Sequence, residues 1–189
     1  FPFCRNTTSC GTRRQEPWAH DKLTLKLVTH YVRMRYKLRP YLYQLFQRQA
    51  AEGEAILRPL FYDFADRAEW PLGKIEDQFM VGPSIMQAPV VWEKAKSREL
   101  LLPGDGAWWS ALDARWIKGP RRLKASPGPL QTPLYVREGS IVPMAPGEPK
   151  DNRYDGSRVE AHVFLRRAGG GTAQTTYTWD DGDTLAYRD

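Results

Sequence analysis

Asp180, Asp181 and Asp183 are carboxylates close enough together to hold a calcium ion. They follow a β-like run and surround Gly182, however, and Asp in a Gly-containing turn ordinarily accepts bonds from nearby backbone N–H groups. Turn chemistry is therefore their expected role, with a cation site or a ligand contact as the alternatives. Cys4 and Cys10 are the only two cysteines. Their spacing allows a small disulfide loop, but two residues make neither a disulfide framework nor a zinc site, and a pair of packed free thiols is expected. Asn6-Thr7-Thr8 fits the glycosylation sequon, which carries weight only in a secreted protein.

The chain has 189 residues with a formal net charge of +6. Its basic residues come in short groups, Arg13-Arg14, Arg121-Arg122 and Arg166-Arg167, not in the run of five to eight typical of a nucleic-acid patch. A solvated basic surface is expected, with no nucleic-acid partner. No apolar stretch approaches the roughly 20 residues that span a bilayer, so no membrane partner is expected either. The first residue is Phe1, and no basic region, apolar run and small-residue cleavage site follow it. The chain is expected to begin inside a larger protein, so its compartment is not legible.

These residues need elements to position them. Residues 1–20 have little periodicity and read as a strand end followed by a loop. Residues 21–53 carry Leu27, Tyr31, Met34, Leu38, Tyr41, Leu42 and Leu45 at steps of three and four, which predicts a helix with one apolar stripe. Asp21 is its expected N-cap and Gly53 its stop. Pro40 removes a backbone donor, so a kink or two successive helices should appear there. Residues 56–64 read as a buried strand and 73–82 as a short helix ending at Gly82-Pro83. Beyond residue 84 the texture changes to short β-like runs at 85–92, 99–102, 107–112, 134–136, 141–144, 159–165 and 175–179. Turn signals separate them about every ten residues, as in an antiparallel sandwich. The expected fold class is thus α/β followed by all-β.

Four segments resemble glycoside hydrolase family 31, a family of α-glucosidases, α-xylosidases and related transglycosidases. Phe1-Pro2-Phe3-Cys4-Arg5-Asn6 with Gln15-Glu16-Pro17-Trp18 resembles an active-site segment late in the family's barrel. Residues 35–43, Arg-Tyr-Lys-Leu-Arg-Pro-Tyr-Leu-Tyr, resemble the helix that follows. Asp77-Gln78-Phe79-Met80-Val81-Gly82-Pro83 with Ala88-Pro89-Val90 resembles the crossing from barrel to sandwich. Trp179-Asp180-Asp181-Gly182 resembles a late sandwich strand and turn. The motifs occur in family order along nearly the whole chain.

The resemblance implies that residues 1–83 are the C-terminal part of a (β/α)8 TIM barrel and residues 84–189 a β-sandwich domain. It implies a retaining glycosidase for terminal α-linked glucosyl or related residues, with a nucleophile and an acid/base carboxylate about 5–5.5 Å apart. Both belong to barrel segments upstream of Phe1, so this chain contributes no catalytic residue and the isolated chain is expected to be inactive. Substrate contacts fall on Arg5, Thr7 and Trp18, since barrel enzymes build their sites beyond the C-terminal ends of the strands. The Arg5 guanidinium offers five donors in a rigid fork for a sugar hydroxyl or a catalytic carboxylate. Thr7 stands where the family usually has a histidine. Its shorter, uncharged arm implies a changed sugar preference, a transferase or a degenerate carbohydrate-binding copy. Trp18 could offer a face to a pyranose ring. Glu16 is expected to bond backbone or Arg5, and His20 to belong to the loop. Trp108, Trp109 and Trp116 should serve packing, and Asp77 and Gln78 structure. The implied partner is an oligosaccharide or glycoside substrate. No metal or organic cofactor is implied.

Overall fold

The computed structural model describes residues 3, 7–65, 69–147, 155–165 and 171–181. After the loop of residues 7–20 come two helices, α1 (Lys22–Lys37) and α2 (Arg39–Glu52). Asp21 caps α1, its Oδ1 accepting from the Thr24 N–H at 2.8 Å. The break expected near Pro40 is real. Leu38 ends α1, and Pro40 occupies the first turn of α2, where its missing N–H costs nothing. Gly53 closes α2 at φ 74°, a left-handed position that suits glycine.

Ten short strands follow among the described residues: β1 (Leu57–Pro59), β2 (Phe79–Val81), β3 (Ile85–Gln87), β4 (Arg98–Leu102), β5 (Ala107–Ser110), β6 (Arg115–Lys118), β7 (Arg121–Ala125), β8 (Leu134–Arg137), β9 (Ser140–Met144) and β10 (Glu160–Phe164). One six-stranded sheet has the order β1-β2-β3-β8-β5-β6, and two-stranded sheets pair β4 with β7 and β9 with β10. Every pairing among them is antiparallel.

Side-chain alternation explains why this sheet is covered on both faces. Met80, Met86, Tyr135 and Trp108 lie on one face and join Leu60 and Leu100–Leu102 in the first core cluster. Their strand neighbours Val81, Ile85, Val136 and Trp109 lie on the other, packed with Tyr41, Leu42, Leu45 and Val142. The ladder sets this register, pairing Met80 with Met86, Met86 with Tyr135, and Ile85 with Val136. One face thus packs on β4 and β7, the other on α2 and the β9–β10 pair.

Three expected elements differ. The strand expected over 56–64 is a strand only to Pro59. Proline cannot donate to the ladder, and a helical turn α3 (Leu60–Asp63) follows. The helix expected over 73–82 is a single 3-10 turn, Leu72–Lys74, and then β2, because Phe79–Val81 pairs on both sides within the sheet. No strand forms at 175–179: a glutamine side chain takes the backbone bonds of Thr178. Strands β6 and β7 escaped the sequence reading, since their Arg- and Lys-rich stretches look like loops. The division expected at 83/84 falls between two hydrogen-bonded strands of one sheet, β2 and β3.

Candidate functional site

The residues expected to touch a substrate are concentrated before α1. Arg5 lies outside the described residues, as do Cys4 and Asn6. Phe3 meets Phe46 of α2 edge to face, with ring centroids 5.6 Å apart, which sets the start of the segment against that helix. At its other end the loop turns through a 3-10 turn, Pro17–Ala19, into the Asp21 cap. Between these anchors residues 7–15 are all exposed. Thr7 is exposed, and Trp18 is 66% exposed. A recess of 610 Å³ is lined by residues 8–18, and Trp18 forms part of its wall. Cys10 is a free, exposed thiol, so it is not the packed thiol expected from the sequence.

Glu16 pairs with Arg14, Nε to Oε2 at 3.5 Å. Backbone hydrogen bonding at Glu16 itself holds its carboxyl below the usual range, and Arg14 adds to this. A carboxylate so held is ionised and accepts bonds; it is poorly suited to donate a proton near neutral pH. His20 is exposed at the end of the 3-10 turn.

Asp180 reaches across to α2. Both oxygens of Asp180 accept from the Tyr43 hydroxyl, at 2.7 and 2.6 Å, and Oδ2 also accepts from Gln47 at 3.2 Å. Beside them the Gln44 side chain imitates a β-ladder. Its amide donates to the Thr178 carbonyl and its carbonyl accepts the Thr178 N–H, each at 2.8 Å. Residues 171–181 therefore lie as an extended strap clamped by α2. Sequence reading missed this role of Tyr43, Gln44 and Gln47. The only signal was polar residues on the face of α2 away from its apolar stripe. Asp183 lies outside the described residues.

Asp77 and Gln78 hold the sheet together. Asp77 pairs with Arg98 at 2.9 Å, and Arg98 also donates to the Asp77 and Pro89 carbonyls. Buried Gln78 exchanges two bonds with the backbone of Leu101. Trp108 is fully buried, its indole N–H donating to the Pro103 carbonyl, and Trp109 packs edge to face on Trp116. Among the described residues no three His, Cys, Asp or Glu side chains gather as a metal site. No described helix is long and apolar enough to cross a membrane.

Comparison with known proteins bears on this geometry. The profile of the Glycosyl hydrolases family 31 TIM-barrel domain matches residues 1–45, and that of the Glycosyl hydrolase family 31 C-terminal domain matches residues 53–142. Alpha-glucosidase 2 of Bacillus thermoamyloliquefaciens is 28% identical over 98% of this chain and 23% of its own length. The alpha-glucosidase of Saccharolobus solfataricus is 33% identical over 84% of this chain and 23% of its own. A solved Flavobacterium johnsoniae family 31 dextranase complexed with isomaltotriose superposes with a TM-score of 0.79 at 26% identity, over 92% of this chain and 21% of that one. The chain thus spans less than a quarter of the length of the curated relatives it matches.

Proposed function

The chain belongs to glycoside hydrolase family 31, and on that premise we propose that it is the last barrel portion and the sandwich domain of an enzyme that cleaves terminal α-linked glucosyl or related residues from oligosaccharides. One observation carries the reading: two profiles of one family match in family order, the first of them over an exposed loop that leads into α1. The chemistry is a retaining double displacement. It needs a carboxylate nucleophile and an acid/base carboxylate about 5–5.5 Å apart, and both belong to barrel segments other than this chain. This chain supplies one wall of the sugar pocket. Arg5 fixes a hydroxyl or orients a carboxylate, Thr7 accepts or donates one hydrogen bond, and Trp18 offers an indole face. Thr7 in place of the family's usual histidine favours an altered preference between sugars, or between water and a sugar as acceptor.

The barrel portion ends at Gly53 in this proposal, not at residue 83. Two things support the earlier limit: β1 and β2 pair into the same sheet as β3, and the C-terminal domain profile begins at residue 53.

The test is an assay of the purified 189-residue chain on nitrophenyl α-glucoside. The expected outcome is no release above buffer, because both catalytic carboxylates are missing. Hydrolysis with retention by the pure chain would contradict the assignment of chemistry to segments outside it.

A further inference from the structure

Trp92 is 76% exposed, more than any other large apolar side chain among the described residues. It does not sit on a loose loop. Arg98 donates to the Pro89 carbonyl at 2.8 Å and to the Asp77 carbonyl at 2.9 Å, and the Ala95 N–H closes a turn onto the Trp92 carbonyl at 3.2 Å. Trp92 lines a groove of 730 Å³ together with Tyr31 of α1. Gln87, Lys96, Gln131 and Thr132 line it too. The Gln131 side-chain oxygen accepts the Gly128 N–H at 2.9 Å, which leaves its amide nitrogen as a donor to a ligand. Among the described residues no Asp or Glu lines the groove.

We propose that this groove is a non-catalytic oligosaccharide-binding site with Trp92 as its stacking platform. A pyranose ring has an apolar C–H face that matches an indole, and hydroxyls at its edge that match amides and a threonine hydroxyl. The volume suits a small ligand, within the roughly 300–1,000 Å³ of ordinary binding pockets. Without a carboxylate in the lining, neither a nucleophile nor a general acid is available, so the groove binds and does not cleave. The choice of a gluco-oligosaccharide rests on the family reading, whereas the aromatic and amide lining does not.

Calorimetric titration of the whole chain with maltotriose and isomaltotriose tests this. Saturable binding with a Kd no weaker than about 20 mM is expected for one of them. Trp92→Ala should weaken it at least roughly tenfold with the melting temperature unchanged, because the side chain is exposed. Trp92→Phe should restore binding, which separates stacking from a defect of folding, and Gln87→Ala should weaken binding as well. Sugar binding lost in Trp18→Ala and kept in Trp92→Ala would overturn the groove while supporting the loop before α1 as the sugar site. No binding of either sugar by the intact chain would also overturn the groove, leaving Trp92 as a contact for another part of the protein.

Discussion

Tyr41 joins helix to sheet at a single atom. Its hydroxyl donates to the Val81 carbonyl at 2.7 Å and accepts the Ser84 N–H at 3.3 Å, both in the buried core. Tyr41→Phe leaves both backbone groups without this partner and should cost about 1–3 kcal/mol in denaturant unfolding. Burial pushes the Tyr41 hydroxyl up to about 12, and burial first, then Asp113, does the same for Tyr135. For both, the fold favours the neutral form over an unfolded value near 10. Their contribution is therefore complete below pH 10 and is lost as pH rises toward 12. Unfolding free energy measured from pH 8 upward should stay flat to about pH 10 and then fall, and Tyr135→Phe should make the fall shallower. A flat profile to pH 12 would contradict the burial argument. Gln44→Ala should cost about 1–3 kcal/mol and loosen the strap, seen as faster amide exchange at Thr178. Such residues show how far sequence reached. Asp21 and Gly53 act on their own turns, and their types announced the roles. Tyr43, Gln44 and Asp180 act across about 135 positions of chain, and no local pattern marks such a partnership.

The same division holds for elements. The helical periodicity of residues 21–53 was legible because α2 buries one side on a core that the sequence stripe records. The proline break was legible because proline acts through its own backbone. The strands beyond residue 84 were legible where apolar residues alternate, and illegible in β6 and β7, where Arg and Lys occupy exposed edge positions. The turn between β2 and β3 offers a direct test of how α2 seats on the sheet. Gly82 has φ 58°, and a Cβ there would stand 2.4 Å from Leu45 Cδ2 and 2.7 Å from the Tyr41 hydroxyl. Gly82→Ala combines a left-handed backbone penalty of about 1–2 kcal/mol with overpacking of about 1–3 kcal/mol. A loss of about 2–4 kcal/mol in thermal or denaturant unfolding is expected, against a few tenths for an exposed surface change. A neutral Gly82→Ala would mean that α2 is not seated this way.

At the scale of the whole molecule, α1 is the element without a home. None of its residues is buried, and Leu23, Leu25, Val28 and Val32 are all exposed. A helix apolar over so wide an arc belongs between other elements. In the proposed account those are barrel elements outside this chain, so the chain alone should bind a dye specific for exposed apolar surface and should self-associate. The double change Leu25→Ser with Val32→Ser should reduce both without lowering the melting temperature, since neither side chain is buried. A sharp melt of the unaltered chain with no dye bound would contradict this. The most direct measurement replaces the matching segment of the Saccharolobus solfataricus alpha-glucosidase with this chain and follows glucose release from maltose. A folded chimera that turns over an α-glucoside is expected, with turnover falling in Arg5→Ala and the sugar preference shifting in Thr7→His. A chimera with a cooperative native melt that neither binds nor cleaves any α-glucoside or α-xyloside would contradict it.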